Sequence, residues 1–295
     1  MKDLAAAIFA LFFLVLAGCA SSPPMPPPAD LLRDDLFQAP SVAIDPDEAM
    51  ALSAPMQTYL DSRLRRVPRG VDRRAWLMEA LYRRDELRLE YDASTTRTAA
   101  QAFEARSGNC LALVMMTGAF AKAMGLSVRY QLVLGADAFE RAGDLAISIG
   151  HVNLTLEEQT QGRTFISSDR DPWTVDFIPP GGIARWRTRT LQEHTVVAMF
   201  LNNRAVESLV GGRLDDAYWW AREAIRRDPE LLGAYVTLGV IYRSRQHPAL
   251  AEATLARVNE REPDNTHALS NRFLALGDLG RQAVAGALQQ RLDRL

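Results

Sequence analysis

Apolar positions change their period twice along this 295-residue chain. From about residue 45 to 105 they recur every three to four residues, the spacing of one helix face. Asp45-Pro46-Asp47-Glu48 reads as a helix start, with proline at the first helical position and acids in the first turn. Met50, Leu52, Met56, Leu60 and Leu64 would line one face until Pro68-Arg69-Gly70 breaks it. Ala75, Leu77, Met78, Leu81, Tyr82 and Leu87 predict a second helix, and Thr98 to Glu104 a short third. Leu111 to Met124 is apolar and alanine-rich, with Ser107-Gly108-Asn109 in front to cap it and Gly125 behind to end it. Between 126 and 178 the period drops to two. Val128, Tyr130, Leu132 and Leu134 alternate, and Gly150, Val152, Leu154 and Leu156 alternate with Ile149, His151, Asn153 and Thr155. Thr164-Phe165-Ile166, after the turn Gln161-Gly162, and Trp173, Val175 and Phe177 predict two further strands. Helices followed by a run of strands describe an α+β domain with an antiparallel sheet. From Val197 the chain is helical again.

That last stretch repeats itself. Asp228-Pro229 and Glu262-Pro263 lie 34 residues apart. Leu201, Ala205, Ala217, Ala221, Ala224 and Pro229 fall on fixed offsets, and Tyr235, Leu238, Gly239, Tyr242, Ala251, Leu255 and Pro263 follow in the next unit. Period and small-residue positions resemble the tetratricopeptide repeat, an all-α array of helix pairs. A third unit begins near Thr266 and is expected to be a truncated, capping copy. Such arrays present a concave face, on which Asn202, Asn203 and Arg243 are candidate contact residues for a peptide or partner. Tyr218, Trp219 and Trp220 are candidates instead for packing the repeats onto the preceding domain.

At the other end, Lys2 precedes an apolar run from Leu4 to Leu16, too short to span a bilayer comfortably and of signal-peptide length. The following Leu16-Ala17-Gly18-Cys19 resembles a bacterial lipobox. The resemblance implies removal of residues 1–18 and lipidation of Cys19, and Ala20 behind it implies retention at the outer membrane. Residues 19–44, rich in proline at Pro23-Pro24-Met25-Pro26-Pro27-Pro28, predict an extended tether.

Charge and histidine count narrow the chemistry. The net charge is −2 and lysine occurs only at positions 2 and 122, with no basic block of the kind that nucleic acid selects. Four histidines, His151, His194, His247 and His267, stand far apart and offer no zinc-type ligand spacing. Neither a metal nor another cofactor is called for.

Only two cysteines exist, and with Cys19 assigned to lipid, Cys110 has no disulfide partner. It stands where the apolar helix begins. A thiol in a first helical turn faces unpaired N–H groups and the positive end of the helix dipole, which favours thiolate. The same residue also reads as a buried, inert cysteine packing like a small hydrophobe. A catalytic thiol needs a base and an orienter of that base. His151 is the one histidine within the strand pattern. Two carboxylates follow as orienters: Asp176 in Trp173-Thr174-Val175-Asp176-Phe177, and Asp169 in a polar Asp-Arg-Asp segment. Asp176 is favoured, because a carboxylate inside an apolar strand needs a partner such as imidazole.

Cysteine at a helix start, histidine on a strand and aspartate on the next strands is an order that resembles the transglutaminase-like superfamily of papain-like cysteine enzymes. The resemblance covers roughly residues 85–180. It is carried by Tyr91-Asp92, Thr98-Ala99-Ala100-Gln101-Ala102-Phe103, Gly108-Asn109-Cys110 and Gly125-Leu126-Ser127-Val128-Arg129-Tyr130. It implies that Cys110 is the nucleophile, His151 the general base and acid, and Asp176 or Asp169 the orienter. The expected organisation is a signal peptide over 1–18, a tether over 19–44, a transglutaminase-like domain over 45–190 and tetratricopeptide repeats over 196–295. The expected function is that of a lipid-anchored cysteine hydrolase or acyltransferase of the cell envelope, facing the periplasm, acting on a protein or peptide and binding a protein partner through its repeats. A non-catalytic envelope scaffold on the same fold is the alternative.

Overall fold

In a computed structural model, the described residues are 30–64, 72–83, 85–134, 138–142, 145–158, 172–177 and 187–295. The side chains of 64, 138–142, 145–149 and 158 are outside that description. The predicted signal peptide, Cys19, the Pro-rich part of the tether, the strand Thr164-Phe165-Ile166 and Asp169 lie outside the described residues. The fold is α+β, with ten α-helices among the described residues and an antiparallel sheet. No helix among them is long and apolar enough to cross a membrane.

Local signals place most elements. Pro46 opens only a 3₁₀ turn, Pro46–Met50, with Asp45 accepting from the Asp47 N–H at 2.9 Å. The single apolar face expected from Met50 to Leu64 is interrupted. Pro55 lacks an N–H, and its ring would strike the carbonyl of Ala51 in a continuous helix, so the chain breaks and restarts as α1, Ala54–Leu64. Helix α2, Arg73–Tyr82, is capped by Asp72 and stops before Leu87. A two-residue strand β1, Glu90–Tyr91, precedes α3, Ala99–Ala105, which begins with a capping box between Thr98 and Gln101. Strand β2, Ser107–Gly108, pairs in parallel with β1, and then α4, Cys110–Ala123, begins. Every residue of α4 from Cys110 to Ala121 is buried. Gly125, at φ +75°, ends it in the left-handed conformation that glycine adopts without strain.

Strand β3, Leu126–Val133, leads into the hairpin of β4, Ala138–Ala142, and β5, Leu145–Ile149, then β6, Val152–Glu158, β7, Trp173–Val175, and β8, Thr188–Leu191. The main sheet has the order β7-β6-β3-β8, antiparallel throughout, with Tyr130 opposite Leu154 and Leu154 opposite Val175. Two expectations shift. His151 lies in the two-residue gap between β5 and β6 rather than within a strand, and Asp176 follows the last residue of β7. Strand β8 carries three exposed residues and one buried one, Leu191, and so has little apolar alternation to announce it.

Helix α4 packs on the inner face of β3 and β6. The approach is close because Gly118 faces Tyr130. A Cβ at position 118 would stand 2.2 Å from the Tyr130 hydroxyl and 3.0 Å from two ring carbons. Tyr130 is only 2% exposed and has no room to move. We therefore expect Gly118→Ala to destabilise the protein by about 1–3 kcal/mol in urea unfolding, although alanine is the better helix former. A neutral or stabilising effect would contradict this packing.

Beyond the sheet come helices α5, Glu193–Val210, α6, Leu214–Arg227, α7, Leu232–Ser244, α8, Pro248–Arg261, α9, Thr266–Asp278, and α10, Gln282–Leu292. They form three antiparallel pairs. Leu214, Pro248 and Gln282 open successive second helices at 34-residue intervals, and Leu232 and Thr266 open successive first helices at the same interval. The third pair has both helices, but its second, α10, has 11 residues against the 14 of α6 and of α8. Gly239 admits α8 closely, since a Cβ there would meet Leu255 at 2.7 Å.

Residues 30–44, expected within the tether, are docked on these helices. Phe37 stacks on Tyr218 at 4.0 Å, Tyr242 donates to the Leu31 carbonyl at 2.5 Å, and Trp219 Nε1 donates to the Gln38 carbonyl at 2.6 Å. Asp34 accepts from Tyr218 and Arg222, and the Ser41 N–H and hydroxyl both donate to Asp216. Tyr218 and Trp219 thus serve this N-terminal strap rather than the sheet, while Trp220 packs edge-on to Phe200. Phe37, with its aromatic partners so far along the chain, and Leu31 are the buried anchors of a segment whose other residues stay partly or fully exposed.

Candidate active site

Cys110 is the first residue of α4, and its position is fixed from three sides. Asn109 caps the helix, its Oδ1 accepting from the Ala112 N–H at 2.9 Å and its carbonyl from the Leu113 N–H at 3.0 Å. The N–H groups of Cys110 and Leu111 are therefore the first-turn donors that the cap leaves unclaimed. Asn109 Nδ2 donates in turn to the buried Thr96 hydroxyl at 2.8 Å. The Thr96 N–H donates to Glu207 of α5 at 2.6 Å, and Arg204 closes the network on Glu207 and Thr95. On the other flank the β1–β2 pairing holds Tyr91 beside Gly108, with the Asp92 N–H donating to the Gly108 carbonyl at 2.9 Å. A helix of the C-terminal array is thereby wired to the cap of the cysteine helix, a link no local sequence signal announces.

His151 sits at the entry of β6, its carbonyl accepting from the Val133 N–H at 2.8 Å. Its imidazole is 4% exposed and Cys110 is 7% exposed. Nε2 meets both oxygens of Asp176, at 2.8 and 2.9 Å, and the Asp176 side chain is 10% exposed. Asn153 Nδ2 donates to the same carboxylate at 3.0 Å, and the Tyr82 hydroxyl donates to the Asp176 carbonyl at 3.4 Å. Asn153 is a site residue that the sequence pattern presents only as an alternating strand position. Nδ1, across the ring, is buried without a hydrogen-bond partner among the described residues. Cys110 is close enough to this imidazole to favour its protonated form.

These contacts set the charge of the site. Burial is the largest single influence on His151 and disfavours its protonation. Asp176 and then Cys110 act together in the other direction and raise the imidazole from its usual 6.5 to about 9. The ring is consequently a cation at neutral pH, held between a carboxylate and a thiol. Such an arrangement can hold a proton that sulfur has given up, pass it to a leaving group and keep one ring orientation throughout.

Three of the sequence candidates, Cys110, His151 and Asp176, are thus brought together. His194 lies apart, exposed and 3.9 Å from Asp228. His247 caps α8 and His267 sits in the first turn of α9. Asn202 and Asn203 line a groove of about 420 Å³ between the sheet and the helix pairs. Arg243, proposed for the same face, instead pairs with Asp278 at 2.6 Å. Leu111 and Gly150, the chain neighbours of Cys110 and His151, also line the groove. No protein-family model matches the chain, and no curated protein or solved structure matches it either.

Proposed function

We propose that the chain is a cysteine hydrolase of the transglutaminase-like type, anchored to the outer membrane through lipid on Cys19 and acting in the periplasm on a peptide or protein amide. The observation that carries this reading is the two-oxygen contact of Asp176 with His151 Nε2, which leaves the opposite ring nitrogen for the thiol. The three helix pairs are read as tetratricopeptide repeats on their 34-residue interval, and as the part that receives a peptide or protein partner.

In the proposed reaction Cys110 and His151 act as an ion pair, the thiol's proton already standing on His151 Nδ1 and the sulfur reacting as thiolate. The thiolate attacks the carbonyl carbon, and its oxygen takes the negative charge beside the Cys110 and Leu111 N–H groups at the start of α4. As the tetrahedral intermediate collapses, the C–N bond breaks, His151 gives its Nδ1 proton to the departing amine and Cys110 holds the acyl group as a thioester. Water, losing a proton to the now neutral His151, then attacks the thioester and releases Cys110 as thiolate beside the imidazolium. An amine in place of water would give acyl transfer through the same steps. Asp176 keeps its negative charge throughout and compensates the imidazolium.

The burial of Cys110 favours a second reading, in which the site is a relic and the fold is a non-catalytic scaffold. The two separate in one experiment. Incubation with the p-nitrophenyl ester of an N-acylated apolar dipeptide should add one acyl mass to the protein. Cys110→Ser should not acquire this thioester, and His151→Ala should acquire it at least about 10²-fold more slowly. A native protein that gains no acyl mass, or gains it equally in the His151→Ala variant, would leave the scaffold.

A further inference from the structure

We infer that the groove between the sheet and the helix pairs is the acyl-donor cleft, and that it selects an extended peptide with apolar side chains along its body and a lysine or arginine at one end. Its part as donor cleft rests on the hydrolase reading above; its selectivity follows from its own walls.

The volume, about 420 Å³, is that of a ligand site rather than a packing defect. Leu132, Met199, Val206, Leu231 and Val236 give the walls apolar patches that reward burial of apolar side chains. Asn202 and Asn203 stand among the polar residues that share the walls. Asn202 Oδ1 is shielded from solvent and has no hydrogen-bond partner among the described residues. Carboxamides both donate and accept, as an extended peptide backbone does.

Three acidic residues, Glu230, Glu262 and Asp264, also line the groove, beside a single arginine, Arg189 of β8. Asp264 is paired with Arg291 at 2.7 Å and Glu230 lies 4.0 Å from Arg261. Glu262 accepts from Asn265 Nδ2 at 2.8 Å and has no ion pair with lysine or arginine among the described residues. A lysine or arginine side chain can pair there with Glu262, an exposed carboxylate without a cation of its own among the described residues, and an anion is repelled. Phosphate-bearing ligands are disfavoured by the same charges.

Gly233, in the first turn of α7, lines the groove and has nothing within 4 Å of the place a Cβ would occupy, so a larger side chain there can stand over the groove without striking its neighbours.

The test uses the full chain carrying Cys110→Ala, so that nothing is turned over. Fluorescein-labelled octapeptides share a Leu/Ala/Val body and end in Lys-Lys or Glu-Glu, each pair placed at either terminus. In anisotropy titrations the better Lys-Lys peptide should bind at least about 10-fold more tightly than either Glu-Glu peptide, with the preference shrinking in high salt. Adding Glu262→Lys should erase the preference. Adding Gly233→Phe should remove binding of all peptides without lowering the thermal midpoint. Equal affinities, no binding, a preference that survives Glu262→Lys, or undiminished binding by a folded Gly233→Phe protein would each overturn the inference. Because this assay lacks Cys110, its failure leaves the Cys110 chemistry standing, and failure of acylation leaves the groove standing.

Discussion

Ending the chain at Leu191 abolishes cooperative folding, so that residues 30–191 alone show no sigmoidal thermal or urea transition. The helical array is part of the core and not an appendage. Val196, Val197, Phe200 and Leu201 of α5 are buried in the same cluster as α4 and the sheet. Four such side chains contribute about 1.5–3 kcal/mol each, which together rivals the whole stability of a domain, about 5–15 kcal/mol. The truncation also removes Glu207, which receives the Thr96 N–H beneath the Asn109 cap, and Tyr218 and Tyr242, which hold the strap. Near-UV circular dichroism and urea unfolding of the truncated chain decide the matter. A native-like spectrum with a sharp transition would show that the catalytic part is autonomous after all.

Asp176→Asn has the second large effect, and it is pH-dependent. The substitution removes the carboxylate on His151 Nε2 and presents Nε2 and Asn153 Nδ2 with a neutral amide. In the native protein His151 is raised to about 9. Folding therefore favours its protonated form. That stabilisation is complete below the ordinary value near 6.5 and is lost as pH rises from there through about 9. Its size is on the order of 3 kcal/mol. Native protein should thus lose stability between pH 6.5 and 9, and Asp176→Asn should already be weaker at pH 6 and much flatter across that window. The imidazole resonances of His151, followed by NMR, should titrate near 9 in the native chain and well below that in the variant. A native His151 that titrates at its ordinary value, or one unmoved by Asp176→Asn, would show that the carboxylate does not govern the ring.

How much of this could be read from the chain differs by element. Helix α4 is legible because Asn109, the apolar run and Gly125 are local signals that agree. The 34-residue interval survives because each helix pair repeats the same close approaches, at Gly239 for instance. Pro55 overrides the apolar face that seems to continue from Met50, since steric exclusion is stronger than periodicity. Strand β8 carries no alternation, as three of its four residues face solvent. The strap is the larger surprise. Its composition is that of a spacer, and only Phe37 and the tyrosines that receive it, some two hundred residues later, distinguish docking from extension. In the site, residue type singles out Cys110, His151 and Asp176, because few cysteines and histidines compete. Asn153 and the Thr96–Glu207 support are polar residues of ordinary appearance, and their roles arise only from tertiary contact.

The central claim is that Cys110 acts with His151. The most direct measurement is the rate of carbamidomethylation of Cys110 by iodoacetamide from pH 5 to 10, read by peptide mass spectrometry in native and His151→Ala protein. The account predicts a native rate that is already high at pH 6 and nearly level to pH 8, and a fall of about 10²-fold at pH 7 in His151→Ala. A native rate that only climbs with ordinary thiol ionisation near pH 8.5, unchanged when His151 is removed, would contradict it.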